Sequence, residues 1–111
     1  MGRERGLIAV YIMTNGPYGT LYIGVTSDLH HRVAQHRAGT FDGFTKKYQL
    51  KRLVWFETFE FMAPALKREK SLKRYLRDWK INLIERDNPH WQDLSLDWDR
   101  SPEWKHGPTD E

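Results

Sequence analysis

Five side chains able to bind a phosphate, hold a metal ion or move a proton lie within the first 70 residues of this 111-residue chain: Tyr11, Tyr22, Arg32, His36 and Glu69. A guanidinium offers a fixed fork of donors to a phosphate, and a histidine with an unperturbed pKa near ~6.5 accepts a proton at neutral pH. A phenol, with an unperturbed pKa near ~10, becomes a base only when nearby positive charge lowers that pKa. A glutamate can hold a hard cation such as Mg²⁺. Brought together, these groups suit the attack of water on a phosphodiester.

Both tyrosines lie in short apolar runs that predict two paired strands, at about residues 7–14 and 20–25. Side chains alternate along a strand, so each tyrosine faces away from the aliphatic residues next to it. The intervening Asn-Gly-Pro-Tyr-Gly pentad is typical of a hairpin turn. A hairpin that closes symmetrically around residues 16 and 17 would place Tyr11 directly opposite Tyr22. The alternative is that both are ordinary strand aromatics.

A helix predicted at about residues 27–38 carries Arg32 and His36 within its apolar stripe. The stripe follows the i, i+3, i+4, i+7 spacing of one helix face: Leu29, Arg32, Val33 and His36. An arginine and a histidine are unusual there and are therefore candidates for a site. The alternative for the histidine is a core residue whose hydrogen bonds are satisfied inside the protein.

Glu69 is the charged member of an otherwise apolar seam. Residues 53–59 predict a third strand, and Pro64 then opens a long helix at its first turn. The apolar seam of that helix has spacings of four and three: Ala65, Leu72, Leu76, Trp79 and Leu83, with Glu69 among them. A carboxylate in such a seam needs a cation or a donor, so we expect either Mg²⁺ or a salt bridge to Arg32. The helix is predicted to bend or restart near residues 79–80.

Two groups of basic side chains predict a nucleic-acid interface. One lies in residues 39–52, which have no helical or strand period and are predicted as a loop: Lys46, Lys47, Lys51 and Arg52. The other lies on the long helix: Lys70, Lys73 and Arg74. Basic side chains interleaved with aromatics suit phosphates and bases. The alternative is that the lysines are merely solvated and the aromatics anchor the loop.

Charge is unevenly distributed along the chain. Residues 1–86 carry 16 Lys and Arg against 8 Asp and Glu, whereas residues 87–111 carry 2 against 7. A basic body favours a polyanionic partner. We expect one domain at residues 1–90, followed at 91–111 by an acidic tail that is partly packed and, beyond Trp98, poorly ordered.

The absence of cysteine excludes a disulfide framework and a thiolate zinc site. No run approaches the ~20 apolar residues of a membrane span, and the first residues do not resemble a signal peptide. The composition therefore favours a protein of a reducing compartment such as the cytoplasm.

Two triplets, Ala9-Val10-Tyr11 and Tyr22-Ile23-Gly24, resemble the name-giving motifs of the GIY-YIG nuclease family. Arg32, His36 and Glu69 follow at the family's spacing, and the resemblance spans roughly residues 6 to 90. It is strongest to the small stand-alone bacterial members of the family. It implies an α/β (α+β) fold, with a small three-stranded, mainly antiparallel sheet flanked by helices.

The resemblance also implies a metal-dependent endonuclease that cuts DNA with low sequence specificity, in DNA repair or recombination. Glu69 would bind Mg²⁺, or Mn²⁺ in its place, and Tyr11 or Tyr22, helped by His36, would deprotonate water. Substrates would include branched or structured DNA. A non-catalytic nucleic-acid-binding module with the same fold is the alternative.

Three positions depart from the family pattern. Ala9 replaces the first glycine, while Val25 and His36 stand where the excision-repair branch carries a lysine and a tyrosine. The site therefore resembles that of the homing-endonuclease branch more closely.

Overall fold

The computed structural model describes residues 7–96 and residue 98. Three strands and four helices form in that part of the chain, in the order β1 (Ile8–Thr14), β2 (Leu21–Thr26), α1 (Leu29–Ala38), α2 (Gly43–Lys47), β3 (Arg52–Phe59), α3 (Met62–Lys73) and α4 (Arg77–Asp87). The sheet has the order β2-β1-β3, with both pairings antiparallel. The predicted α+β class and three-stranded antiparallel sheet are confirmed.

The central strand β1 divides the interior into two faces. Val10 and Ile12 point to one face and pack in an apolar cluster with Ala65 and Leu72 of α3. Tyr11 and Met13 point to the other, where Val33 of α1 contributes to a second cluster. Strand alternation explains this division, since successive side chains of a strand leave on opposite sides.

The hairpin register differs from the predicted one by two residues. Tyr11 pairs with Gly24, and Met13 pairs with Tyr22, so the two tyrosines are diagonal neighbours rather than directly opposite. Because a shift of two residues preserves the face, both rings still share one side of the sheet, with centroids 6.3 Å apart.

A six-residue connection at residues 15–20 causes the shift. The Gly19 N–H donates to the Gly16 carbonyl at 3.0 Å, and the Thr20 N–H donates to the Asn15 side-chain oxygen. Tyr18 takes the left-handed conformation, with φ 58°. These contacts organise a turn longer than the predicted one, and they centre it one residue further along the chain.

The sequence predicted residues 39–52 as a loop, but this segment contains the short helix α2. The Asp42 carboxylate caps this helix by accepting from the N–H groups of Phe44 and Thr45. Aspartate is a favoured N-cap. A helix of five residues beginning at Gly43 is too short to show a period in the sequence.

The predicted long helix is two helices, and the break lies at residues 74–76 rather than near 79–80. Leu76 is extended (φ −63°, ψ 155°) and precedes the first turn of α4. Leu76 and Trp79 therefore leave the predicted seam and are 63% and 53% exposed. Arg77 ties the start of α4 to the hairpin turn by donating to the carbonyls of Tyr18 and Gly19, at 2.6 and 2.8 Å.

The segment after α4 packs against the body. Trp91 is 1% exposed, and its indole N–H donates to Glu85 at 2.7 Å. Asp93 pairs with Arg37 at 3.0 Å. The residues after Trp98, where poor order is expected, lie outside the described part. Within the described ranges, no helix combines the length and apolar character needed to cross a membrane.

Candidate active site

Tyr11, Tyr22 and His36 meet on the sheet face that α1 covers. The Tyr11 hydroxyl lies 2.9 Å from His36 Nε2, and both residues are fully buried. The imidazole also contacts the ring of Tyr22, at a centroid distance of 5.4 Å. Tyr22 is only partly buried. One phenol is therefore enclosed, and the other borders solvent.

A chain of hydrogen bonds determines the tautomer of His36. Its Nδ1 lies 3.1 Å from the Thr45 hydroxyl, which donates to the Asp42 carbonyl at 3.0 Å. Since that hydroxyl proton is directed at Asp42, the Thr45 oxygen accepts from Nδ1–H. Nε2 is then left to accept from the Tyr11 hydroxyl. Thr45 was not singled out from the sequence, because its segment was predicted as a loop.

Burial, and to a smaller extent the positive charge of Arg32, lower the pKa of His36 to about 4, although the negative charge of Asp42 opposes them. A neutral imidazole is the form that can accept from Tyr11 while donating to Thr45. At neutral pH the histidine therefore adds no positive charge to this site.

Both phenols have raised pKa values. Burial is the largest cause of the raised pKa of Tyr11, followed by Tyr22, while a hydrogen bond and the charge of Arg32 oppose it. Burial and Asp42 raise the pKa of Tyr22, whereas the positive charges of Lys73 and Arg32 lower it. Both hydroxyls are therefore protonated at neutral pH, and added positive charge would favour ionisation.

Arg32 is held beside the tyrosines by two contacts. Its Nε donates to the Gln35 side-chain oxygen at 3.1 Å, and its guanidinium carbon lies 3.9 Å from the ring centroid of Phe41. The ion pairs of the described residues do not include one between Arg32 and Glu69, the alternative raised by the sequence. Among the residues that the structure describes, the guanidinium is oriented without an ion pair to a carboxylate.

Glu69 pairs instead with Lys73, one helical turn away. Its Oε2 lies 2.8 Å from Lys73 Nζ, and its side chain is 13% exposed, against 54% for the lysine. The negative charge of Glu69 raises the pKa of Tyr22, and the positive charge of Lys73 lowers it. The carboxylate lies on α3, a helix that packs against β1 and β2 of the hairpin.

The carboxylate suits a hard cation that keeps most of its water. No group of three or more His, Cys, Asp or Glu capable of holding a metal occurs among residues 7–96 and 98. Mg²⁺ is commonly bound through one or two carboxylates, with water and substrate phosphates completing its octahedron. The residues present therefore fit a cation held jointly with the substrate.

Gly24 is required by the position of Tyr11. A Cβ on Gly24 would lie 2.6 Å from the Tyr11 hydroxyl and 2.7 Å from the adjacent ring carbon. Tyr11 pairs with Gly24 in the sheet, so the tyrosine ring of the first triplet, residues 9–11, lies over the glycine of the second, residues 22–24. The two motifs are therefore complementary in packing.

The basic residues predicted to bind nucleic acid form two groups. Near α2, exposed Lys46, Lys47 and Lys51 flank Phe44, whose ring lies 6.4 Å from that of Tyr22. Arg52 of that group donates to the Trp91 carbonyl at 2.9 Å, a contact that ties β3 to the C-terminal segment.

The second group lies on and just after α3. Lys70 and Arg74 are exposed, and Lys73 pairs with Glu69. This group therefore runs from the edge of the tyrosine site onto the outer side of α3.

Comparison with known proteins finds relatives and a family for this chain. Proteins named "UPF0213 protein" from Staphylococcus aureus strains Mu3, Mu50 and N315 are each 39% identical to the chain over 67 residues, which cover 60% of this chain and 82% of each relative. Their name states no activity. No solved structure gives a significant match. The family model described as "GIY-YIG catalytic domain" matches residues 7–82, and the chain therefore belongs to the GIY-YIG family.

Proposed function

We propose that this protein is a metal-dependent endonuclease that hydrolyses phosphodiester bonds in DNA with low sequence specificity. Membership of the GIY-YIG family suggests nuclease activity and implies DNA as the substrate. The observation that supports the finer proposal is the cluster that Tyr22 forms with His36 and Tyr11, at ring-centroid distances of 5.4 and 6.3 Å. The charges of Arg32, Lys73 and Glu69 act on the pKa of Tyr22. These groups could bind a phosphate, activate water and hold a cation within one site.

Arg32 binds the phosphate under attack. Its guanidinium is already oriented by Phe41 and Gln35, so little side-chain freedom is lost when the phosphate arrives. As negative charge grows on the phosphate oxygens, these donors stabilise it more strongly than in the ground state.

Tyr22 takes the proton of the attacking water in its phenolate form, after its own hydroxyl proton has passed to solvent. No hydrogen bond to its hydroxyl occurs among the described residues, and its partial exposure leaves that hydroxyl accessible to water. The nearby Lys73 and Arg32 charges oppose the effect of burial on its pKa. Tyr11 and His36, both enclosed, act as a positioning pair that packs against Tyr22.

Glu69 holds the metal together with the substrate. Bound there, Mg²⁺, or Mn²⁺ in its place, would supply positive charge against the charge that develops on the phosphate. Lys73 lies beside the same carboxylate and adds positive charge near Tyr22.

Low specificity follows from the types of the basic side chains around the site. Lys46, Lys47 and Lys70 are exposed point charges suited to phosphates rather than base edges. Selection would then rest on the shape and deformability of the DNA.

The proposal is tested with labelled single-stranded, duplex and branched DNA in Mg²⁺, Mn²⁺ or EDTA. Wild type should cut only with metal, and Glu69→Ala should abolish cutting while circular dichroism shows an unchanged fold. Glu60→Ala, at an exposed carboxylate just after β3, is the matched control and should cut normally. A Glu69→Ala variant that cuts like wild type would contradict the proposed role.

A non-catalytic DNA-binding module is the second candidate. The ion pair between Glu69 and Lys73 favours it, because a lysine already neutralises the carboxylate. In that case wild type and Glu69→Ala would both bind DNA in a salt-sensitive manner, and neither would cut it with Mg²⁺ or Mn²⁺.

A further inference from the structure

An open pocket lies at the junction of α3 and α4, on the outer side of α3. Its volume is about 450 Å³, and it is lined by Lys67, Lys70, Ser71, Arg74, Tyr75 and Trp79. Ala65 and Leu72, which face the core, lie on the opposite side of the same helix. The pocket is therefore separate from the tyrosine cluster beneath α1.

One wall of the pocket is an exposed indole held by a second aromatic ring. Trp79 is 53% exposed, and its ring lies 5.5 Å from that of Tyr75 at an interplanar angle of 84°. An edge-to-face contact orients the indole. A large aromatic surface is thus presented to solvent in a defined orientation at the start of α4.

The polar wall carries uncompensated positive charge. Lys67, Lys70 and Arg74 are exposed, and none of them takes part in an ion pair within the described residues. Other cations of α3 differ, since Arg68 pairs with Glu57 and Lys73 pairs with Glu69. The cations of α3 and its C-cap that have no ion-pair partner among the described residues therefore all line the pocket, which favours a polyanionic ligand.

We propose that this pocket binds a single-stranded segment of DNA, with a base stacked on Trp79 and neighbouring phosphates on Lys67, Lys70 and Arg74. This inference rests on the proposed function in taking DNA as the ligand. Stacking on a protein aromatic requires an exposed base face, which single strands offer and duplexes keep within their own stack. A duplex would contact only the charges.

The pocket adjoins the candidate active site along α3. Lys70 follows Glu69 directly in the chain, and Lys73 lies between the carboxylate and Arg74. A strand bound in the pocket would continue over these residues towards Glu69. The substrate class that fits both sites is DNA in which a single-stranded arm lies next to the bond to be cut.

The test measures binding in EDTA by fluorescence anisotropy, so that cleavage does not enter. The probes are labelled oligothymidine of about ten nucleotides and a duplex of the same length. Trp79→Ala should weaken binding of oligothymidine about fivefold or more and leave duplex binding unchanged. Phe61→Ala, at a 67% exposed aromatic at the other end of α3, should change neither affinity.

A second variant separates stacking from a loss of structure. Trp79→Phe keeps an aromatic face and should retain most of the affinity for oligothymidine. It should also reduce the quenching of intrinsic tryptophan fluorescence that oligothymidine causes in wild type. Arg74→Ala should weaken the binding of both probes. It should also lower the slope of log affinity against log salt concentration by about one.

Equal weakening of single strand and duplex by Trp79→Ala, or no effect on either, would overturn the proposal. If the protein binds single strands through Trp79 but does not cut DNA, the proposed nuclease activity is wrong and the proposed single-strand site stands. If the protein cuts DNA with metal but Trp79→Ala binds single strands normally, the proposed single-strand site is wrong and the proposed nuclease activity stands.

Discussion

The two faces of β1 bury side chains equally well but differ in chemistry. Val10 and Ile12 are fully buried against apolar side chains, whereas Tyr11, equally buried, hydrogen-bonds to His36. A buried polar group is costly unless its hydrogen bonds are made, and here Thr45 completes the set. The comparison leads to an expectation: substitutions on the apolar face should change stability without changing the activity of the folded protein, whereas the α1 face contains both a residue needed for activity, Tyr22, and buried polar residues needed for stability, Tyr11 and His36.

The sharpest break between the faces is expected at Tyr22. Tyr22→Phe should lower the cleavage rate by about 10²–10⁴-fold, the range of a lost general base, with little change in stability. Tyr11→Phe should instead cost about 1–3 kcal/mol of stability, because Nε2 of His36 loses its donor. Single-turnover rates and urea unfolding of both variants measure this. A larger rate loss in Tyr11→Phe would reverse the roles assigned to the two phenols.

On the apolar face, Leu72→Ala should destabilise the protein by about 2–5 kcal/mol while the folded fraction keeps its cleavage rate. Leu72 is fully buried, so the lost contacts and the cavity add. Leu76→Ala is the control, since that side chain is 63% exposed and should change stability by less than about 0.5 kcal/mol. Loss of activity in folded Leu72→Ala would end the separation between the faces.

The buried histidine should make the α1 face sensitive to acid. The pKa of His36 is about 4 in the folded state, against an ordinary value of 6.5. Between these values the unfolded chain binds the proton and the folded protein does not, so stability falls as pH drops from about 6.5 to about 4. The free energy of unfolding of wild type should lose about 3 kcal/mol more over that range than that of His36→Gln. Denaturant titrations of both proteins at each pH measure the free energy of unfolding. An equal loss in wild type and His36→Gln would contradict the prediction.

The close approach of the two motifs predicts a smaller effect at Gly24. Gly24→Ala should cost about 1–3 kcal/mol, because its Cβ meets the Tyr11 ring and the strands cannot separate without losing hydrogen bonds. Gly16→Ala is the matched control, with nothing within 4 Å of the added carbon. The measurement is the melting temperature of each variant. Equal values for Gly24→Ala and Gly16→Ala would show that the Tyr11 ring moves aside at no cost in stability.

The smallest expected effect is at Lys73. Its positive charge lowers the pKa of Tyr22, so Lys73→Gln should raise that pKa and move the rise of the cleavage rate with pH to more alkaline values. The shift should be modest because the ammonium is 54% exposed and screened by solvent. A pH–rate profile at saturating metal measures it, with Lys80→Gln in α4 as control. A shift to lower pH would show that Lys73 does not favour the phenolate.

Local patterns predicted much of the fold. Alternation along two short strands predicted that Tyr11 and Tyr22 share one face of the sheet. The structure confirms the shared face, although the predicted register was wrong by two residues. Helix spacing also placed Val33 and His36 on the buried side of α1. Such patterns depend on neighbours a few residues apart, so the sequence displays them directly.

Contacts between distant segments could not be read in the same way. The helix break at residues 74–76 accompanies hydrogen bonds from Arg77 to a turn almost sixty residues earlier, and α2 depends on a cap that lies in a segment without a period. Neither feature leaves a repeat in the sequence.

By itself the sequence determined the strand faces and the family to which the chain belongs, and it supplied the candidate site residues, because these depend on residue type and short spacing. Only the tertiary structure decided that Tyr11 is enclosed with His36 while Tyr22 borders solvent, and that Glu69 pairs with Lys73 rather than Arg32. The physical reason is that burial and ion pairing depend on which surfaces of the sheet, α1 and α3 meet, and those surfaces are joined by packing rather than by spacing along the chain.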